Sequence, residues 1–194
     1  MAAVLFCVGA VWAGSLVQAQ AVSAPIMLTE PGSALLQAER LRLRTPPGML
    51  PFPVDAGSDC YILDNFGDGR SGGTRLHEGL DIMGSAGRAV TAVVGGTLTK
   101  RYTNTGTAGW GWTLYDNTTD ITYKYFHLTA DPNSLVEGAR VSRGDVIGYV
   151  GSSGTSSPDN FHLHFEVRPG NVAVDPLPLL YIEPTGCGVS APIR

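Results

Sequence analysis

Charge is scarce in this sequence, and no basic stretch stands out in it. Asp, Glu, Lys and Arg make up 15% of the 194 residues, the formal net charge is −4, and the pI is about 5.5. A nucleic-acid-binding domain needs clustered Lys and Arg to neutralise phosphates, so we expect no nucleic-acid partner. The hydrophobic share of 43% is sufficient for a core and argues against disorder, and the length suggests one domain.

Long apolar runs are absent except at the N-terminus. Residues 2–16 are apolar but too few to span a bilayer reliably. The small-residue patterns at residues 17–19 and 19–21 could precede a cleavage point, although no Lys or Arg precedes Arg40. We predict that residues 1–21 are an export signal, with an uncleaved anchor as the alternative. The mature protein is then expected outside the cytoplasm, without a stable membrane span.

Long helical patterns are also scarce. The 25 glycines and 13 prolines favour many short strands joined by tight turns. Residues 116–120 are typical of a hairpin loop between two strand-like segments. Such segments recur at residues 89–94, 97–102, 112–115, 121–128, 146–150 and 161–168. Successive hairpins predict an all-β fold with an antiparallel core. Upstream, residues 22–51 are an accessory or linker segment in which 33–41 could form a helix and 41–44 a strand.

Cysteine is rare, with three residues in the chain. Cys7 lies in the apolar N-terminal run, so removal of the signal leaves Cys60 and Cys187. An even pair in an exported protein predicts a disulfide. Two unpaired thiols are the alternative. A role as zinc ligands is less favoured, because a closed site leaves no position for water.

Histidine is also rare, and all four residues lie in three short blocks at residues 77–81, 125–128 and 162–166. His77 and Asp81 are four residues apart and share a face in a helix or a strand. His162 and His164 alternate with apolar residues, which predicts a half-buried strand with both imidazoles on one face. Two histidines and a carboxylate, with a fourth position left for water, compose a catalytic zinc site. The pattern predicts a zinc hydrolase, the alternative being packed or solvated histidines.

The three blocks resemble the motifs of the lysostaphin-type zinc metallopeptidases, which cleave peptidoglycan cross-bridges. They read HEGLDI from His77, YFHL from Tyr125 and HLHFE from His162. The framing segments agree, and they are FPV at residues 52–54, FGDGR at 66–70, GDVIG at 144–148 and GSSGTS at 151–156. The sequence departs from the family pattern at two places. The segment that precedes the last motif, at residues 157–161, is longer than usual, and residues 101–109 form an insertion rich in Thr, Asn and Gly.

The resemblance implies a division of labour among the histidines. It implies that zinc is held by His77, Asp81 and His164. His127 and His162 are then catalytic without being ligands. Spacing alone does not make this division, because His162 and His164 face the same way. Neither the residues nor the resemblance assigns the general base to one histidine of the pair.

The resemblance also implies that residues 52–194 form a lysostaphin-like peptidase domain that hydrolyses peptidoglycan cross-bridges. One alternative is a non-catalytic member of the same fold that binds the wall or activates another hydrolase. Another is a secreted endopeptidase that cuts glycine-rich proteins. All five metal and catalytic positions are present, which favours an enzyme.

On a strand, Glu78 is expected to point away from His77, so that it either contacts a ligand residue from behind or faces solvent. Four aromatic residues could line a groove or belong to the core, namely Tyr102, Trp110, Trp112 and Tyr115.

Overall fold

The computed structural model describes residues 47–190 except 56, 58, 131–133 and 183–184. The predicted export signal and most of the accessory segment, including its helix and strand alternatives, lie outside the described residues. In the described part, no helix has the length and apolar character needed to cross a membrane. The regular structure there consists of fourteen strands and three short 3-10 turns, at Ser71–Gly73, Gly106–Ala108 and Leu177–Leu179. The predicted all-β fold is confirmed.

The strands are short, with the longest spanning eight residues. They are β1 (Leu50–Pro51), β2 (Tyr61–Leu63), β3 (Gly69–Arg70), β4 (Arg75–Leu76), β5 (Leu80–Met83), β6 (Ala89–Thr91), β7 (Gly96–Thr103), β8 (Trp110–Asp116), β9 (Ile121–Leu128), β10 (Arg140–Val141), β11 (Val146–Tyr149), β12 (His162–Pro169), β13 (Leu180–Tyr181) and β14 (Gly188–Val189).

Eight strands form the main sheet in the order β10-β7-β8-β9-β12-β5-β2-β14. All neighbours in it are antiparallel except β14 and β2, which are parallel. A second parallel pair joins β1 to β13. The antiparallel prediction is therefore correct for the main sheet except at its β2–β14 edge, and it does not hold for the separate β1–β13 pair. Each parallel pair joins segments that are far apart in sequence, which a hairpin pattern cannot reveal.

The β8–β9 hairpin shows how local chemistry sets the register. The Asp116 carboxylate accepts hydrogen bonds from the Thr118 amide and the Thr119 hydroxyl, both at 2.8 Å. Asp120 then takes a positive φ of 57°, which short polar residues tolerate. Residues 117–120 form the turn, so the predicted hairpin loop is confirmed. This hairpin carries β9 to the centre of the sheet.

Strand β12 lies between β9 and β5 and is buried on both faces. Leu163 and Phe165 point into the hydrophobic core with no exposed surface. On the opposite face, His162 and His164 are also buried, at 5% and 8% exposure. The prediction of a half-buried strand is wrong on this point. Loops cover the histidine face, and polar loops leave no apolar periodicity in a sequence.

The core is formed by one cluster of apolar side chains from most strands of the domain. Those without exposed surface include Phe52, Ile62, Leu80, Ile82, Val90, Leu98, Leu114, Tyr125, Ile147, Leu163 and Phe165. At the edge of the main sheet, Cys60 and Cys187 form a disulfide with 4.8 Å between their Cα atoms. The predicted bridge is confirmed, and it attaches β14 to β2.

Candidate functional site

Three side chains from the histidine blocks meet at the centre of the sheet. His77 lies between β4 and β5, Asp81 lies in β5, and His164 lies in β12 directly opposite Asp81. His77 Nε2 is 2.9 Å from His164 Nδ1 and 3.1 Å from Asp81 Oδ1, and His164 Nδ1 is 3.0 Å from Asp81 Oδ1. All three residues are buried. The structure thus brings together the three residues that the motif resemblance assigns to a metal.

The partners behind the two imidazoles define which ring nitrogens face the cluster. His77 Nδ1 is 2.9 Å from the Asn65 carbonyl oxygen, and His164 Nε2 is 3.2 Å from Glu166 Oε1. A carbonyl or carboxylate oxygen only accepts, so these nitrogens carry the protons in neutral rings. The facing nitrogens then present lone pairs toward Asp81 Oδ1. Three acceptors in mutual contact with no donor among them form a site for a cation.

The donor set fits a divalent zinc ion. Ligand atoms bound at about 2.0–2.1 Å in a tetrahedron lie roughly 3.3 Å apart, close to the 2.9–3.1 Å separations here. Two imidazole nitrogens and one carboxylate oxygen leave the fourth position open. The other oxygen of Asp81 accepts from Asn65 Nδ2 at 2.8 Å and from Arg70 Nη2 at 3.0 Å. The carboxylate is therefore fixed with Oδ1 toward the two histidines.

The electrostatics of the cluster favour positive charge at His164. Burial opposes ionisation of this ring, but the carboxylates of Asp81 and Glu166 on either side raise its pKa. Burial likewise opposes ionisation of Asp81, but contacts with His164 and His77 hold its pKa well below the ordinary value. Asp81 is thus a carboxylate at neutral pH. A proton or a metal ion can supply the positive charge that this arrangement favours.

Glu166 is a buried carboxylate behind the cluster with three charged or polar partners. Besides His164, it contacts Lys124 Nζ at 3.1 Å and Arg168 Nη1 at 2.9 Å. Burial raises its pKa, but the bonds to His164 and Lys124 outweigh burial and hold the pKa at about 2. Arg168 also pairs with the exposed Glu78 at 2.9 Å. Glu78 therefore contacts an arginine rather than the histidine cluster.

His127 and His162 lie beside the cluster, with ring centroids 4.5 Å apart. His127 Nδ1 donates to the Ser153 carbonyl at 2.7 Å, and His162 Nδ1 donates to the Asn160 carbonyl at 2.9 Å. Each neutral ring therefore has its lone pair on Nε2. His162 Nε2 is 3.8 Å from Asp81 Oδ1, farther than the nitrogens of His77 and His164. The pair adjoins the three-residue cluster as two candidate proton acceptors.

A bulge directs His127 toward this position. Trp110 pairs with Leu128 and Trp112 pairs with Tyr125, so two residues of β9 lie opposite Gly111. His127 takes a positive φ of 62°, a left-handed conformation that is uncommon outside glycine. Bulges and such strained backbone recur next to active sites, where they redirect a side chain. The local backbone cost at His127 is thus consistent with a functional position.

Burial keeps both of these histidines neutral. It lowers the pKa of His127 to about 4, together with the repulsion that the neighbouring His162 would exert if both rings were charged. It also lowers the pKa of His162, against the opposing charge of Asp81. At neutral pH both rings are unprotonated at Nε2. Each is then able to accept a proton from a nearby water.

The cluster opens into a cleft of about 490 Å³. Its walls come from the β3–β4 hairpin, from the turn at residues 107–108 and from the loop at residues 154–160. The four aromatic residues considered from the sequence are absent from this lining, and Trp112 is buried in the core. Phe126 is the aromatic residue of the lining, stacked on the His164 ring with centroids 5.7 Å apart.

Residues 75–176 match a family model described as Peptidase family M23. The chain belongs to peptidase family M23. The match spans more than half of the chain and includes all three histidine blocks. The resemblance proposed from the sequence motifs is confirmed.

Named relatives of this M23 chain include an enzyme and an activator. The chain is 33% identical over 131 residues to the L-Ala–D-Glu endopeptidase of Bacillus subtilis strain 168, across 62% of the chain and 38% of that protein. It is 29% identical over 166 residues to the murein hydrolase activator NlpD of Salmonella dublin, across 85% of the chain and 39% of that protein. The chain thus spans less than half the length of these relatives.

Solved structures agree with the fold of the M23 domain. A zinc-containing peptidase from Vibrio cholerae superposes with a TM-score of 0.54 at 25% identity, across 65% of this chain and 38% of that one.

Several residues that support the site were not assigned from the sequence, namely Asn65, Arg70, Ser153, Asn160 and Glu166. Arg70 and Glu166 lie inside the quoted motifs, so their position was a usable signal. Ser153 and Asn160 act through main-chain carbonyls, which any residue type can supply.

Proposed function

We propose that the protein is a zinc-dependent endopeptidase that hydrolyses peptide cross-bridges of bacterial peptidoglycan. His77, Asp81 and His164 hold the zinc ion, and His127 and His162 are catalytic without binding it. The main observation behind this proposal is a set of three convergent acceptor atoms, 2.9–3.1 Å apart, that lie beside two histidines with free Nε2 atoms. The family membership and the relative named as an endopeptidase support the same reaction class.

The proposed chemistry divides between the metal and the chain. Zinc bound at the three acceptors supplies a Lewis acid for the scissile carbonyl and lowers the pKa of a water toward about 7. The chain contributes the proton transfers. One neutral histidine of the pair accepts a proton from the attacking water at Nε2. The same ring then gives that proton to the leaving amine, so the hydroxyl group of the water goes to the carbonyl carbon and its proton to the nitrogen of the broken peptide bond.

The supports behind the rings prepare this chemistry in advance. The Ser153 and Asn160 carbonyls hold Nδ1 of His127 and His162 in the protonated tautomer, which keeps Nε2 available. Burial in the cleft wall keeps both rings neutral until they accept a proton. The partly enclosed cleft also strengthens each charge interaction in it.

A second candidate is a non-catalytic activator of another murein hydrolase, since the chain is 29% identical to such a relative. An activator needs neither a cation site nor free bases. The complete set of five residues, with the hydrogen bonds that orient them, favours catalysis by this chain. A secreted endopeptidase for glycine-rich proteins would use the same residues, and it differs only in substrate.

We also propose that the protein acts outside the cytoplasm. The apolar leader at residues 1–21 motivates this location, and the Cys60–Cys187 disulfide supports it, because disulfides persist mainly in oxidising compartments. Residues 52–194 would then form the catalytic domain, preceded by the accessory segment.

The test is digestion of purified peptidoglycans of different cross-bridge chemistry by the zinc-loaded protein, with mass spectrometry of the fragments. The endopeptidase predicts new amino groups and defined peptide fragments. His162→Ala is the inactive comparison, and Asn117→Ala, at the exposed tip of the β8–β9 hairpin, is the control for a neutral surface change. Adding a separate murein hydrolase distinguishes the two candidates. Stimulation of that enzyme, without any cleavage by the protein alone, would establish the activator instead.

A further inference from the structure

Two arginines face each other across the β3–β4 hairpin. Arg70 and Arg75 are direct register partners, and the turn Ser71–Gly73 joins their strands. Like charges directly opposite on paired strands destabilise the pair. The hairpin is short and largely exposed, so burial contributes little to offset this repulsion. An anion bound beside the two guanidinium groups would offset this repulsion.

The two guanidinium groups differ in their partners. Arg70 Nη2 is 3.0 Å from Asp81 Oδ2, so its charge is used in fixing that carboxylate. Arg75 is exposed, and within the described part of the chain its side chain has neither a hydrogen-bond nor an ion-pair partner. Both arginines line the cleft. Arg75 therefore presents an uncompensated positive charge to whatever enters there.

The remaining charges of the cleft lining do not neutralise Arg75. The lining contains two carboxylates, Asp81 and Glu166. Asp81 is paired with Arg70, and Glu166 is paired with Lys124 and Arg168. A divalent cation at the three acceptors adds further positive charge. The formal charges of the lining itself balance, two arginines against two carboxylates, so a bound divalent cation would leave the cleft net positive, and a cleft of one sign concentrates ligands of the opposite sign.

We propose that Arg75 is a specificity-determining residue that binds a free carboxylate of the peptide substrate. The substrate is accordingly an acidic peptide rather than a neutral glycine bridge, an inference that rests on the proposed endopeptidase function. The guanidinium group offers a planar fork of N–H donors that matches a carboxylate with two parallel hydrogen bonds. A neutral carboxamide at the same position accepts one such bond and lacks the charge.

The experiment compares two stem peptides of one sequence, one with free carboxylates and one with those groups converted to carboxamides. KM and kcat are measured for the zinc-loaded full chain, for Arg75→Gln and for Arg140→Gln. Arg140 is the matched control because it is exposed in β10 and is absent from the cleft lining. Arg75→Gln should raise KM for the carboxylate peptide about 5- to 10-fold, the range for a partly exposed charge-assisted contact, with kcat little changed. Arg140→Gln should change neither peptide.

Two further results complete the test. The preference of the wild-type protein for the carboxylate peptide should shrink as ionic strength rises, because an exposed charge pair is screened. Dissociation constants of both peptides, measured by calorimetry, separate this inference from the proposed function. If neither peptide is cleaved, the endopeptidase proposal fails for these bonds, while tighter binding of the carboxylate form still supports Arg75. The inference is overturned if the wild-type protein binds both peptides with equal affinity. It is also overturned if Arg75→Gln weakens the binding of both peptides equally.

Discussion

The three proposed ligands and the two proposed catalytic histidines lie side by side, but the chain supports them differently. Asp81 and His164 are held from behind by side chains, namely Asn65, Arg70 and Glu166, whereas His77 is held by the Asn65 main-chain carbonyl. The catalytic pair is held by main-chain carbonyls of Ser153 and Asn160. Among the side-chain supports, the Glu166 carboxylate carries negative charge and favours positive charge at His164. Main-chain support is neutral, and it fixes a tautomer without favouring a protonated ring.

This difference indicates which substitutions should affect the proposed metal site and which should affect the proposed catalytic pair. Changes among the ligands or their charged supports should act on metal affinity. Changes at the catalytic pair, or in the loop that supplies its carbonyls, should act on turnover with the metal retained. The following substitutions test this separation at four levels.

The largest effect is expected from removing a ligand. His77→Ala and Asp81→Ala should abolish stoichiometric zinc, because two remaining protein ligands do not form the three-ligand catalytic site. Elemental analysis of folded, purified protein measures the metal content. Asn117→Ala, at the exposed hairpin tip, should retain one zinc per chain. Full zinc retention in both ligand variants would refute the assignment.

A loss of activity with the metal retained is expected at the catalytic pair. His127→Ala and His162→Ala should each reduce peptide-bond cleavage by about 10²-fold or more, the usual order for removal of a general acid–base. Release of amino groups from peptidoglycan and zinc content are measured on the same samples. Loss of zinc from His162→Ala together with its retention in His164→Ala would reverse the two roles. Full activity in both catalytic variants would contradict the mechanism.

A smaller effect on the metal is expected from the charged support. Glu166→Gln removes the carboxylate that accepts from His164 Nε2 and leaves Lys124 and Arg168 without their buried anion. Zinc affinity should fall by about 10- to 100-fold, as for other partners of metal-bound histidines. Competition with a chelator measures it. Glu78→Gln removes the exposed partner of Arg168 and should leave the affinity unchanged; an equal fall in both variants would mean that Glu166 has no special role.

The smallest effect is expected in the loop that positions His127. Gly154 has a φ of +73°, and a Cβ there would lie 2.3 Å from the Gly109 amide nitrogen. Gly154→Ala should therefore displace the adjacent Ser153 carbonyl and lower turnover by roughly 10-fold, with zinc retained. Gly138→Ala is the matched control, since its φ is +87° and a Cβ there meets nothing within 4 Å. Equal turnover in both variants would show that the loop contact does not position His127.

The candidate cluster was largely predictable because its residues are distinctive. Histidine is rare in the chain, and the alternation around His162 and His164 correctly placed both rings on one face. Their division was not predictable from spacing. In the structure, His164 pairs with Asp81 across β5, whereas His162 pairs with Met83 two residues farther along. That register is set by contacts between residues 83 positions apart in the sequence, and no local pattern contains such contacts.

The cleft and the edges of the sheet were less predictable for a related reason. Gly79 illustrates it, since a Cβ at this motif glycine would lie 2.6 Å from His164 Nε2 and from the Phe165 carbonyl oxygen. Only the folded sheet brings these atoms together. Likewise the loops that bury His127 and His162 are rich in Gly, Ser and Thr, and such residues carry no hydrophobic period. Their closeness to the site follows from tertiary packing.

The position of the disulfide has a consequence for how long the molecule survives among proteases. Cys60 and Cys187 are 127 residues apart, and every proposed ligand and catalytic residue lies inside the covalent ring that they close. A single proteolytic cut in an exposed loop of that ring leaves two fragments joined through the bridge. A nicked molecule therefore remains one molecule, with its ligands at high effective concentration, until a reductant separates its halves.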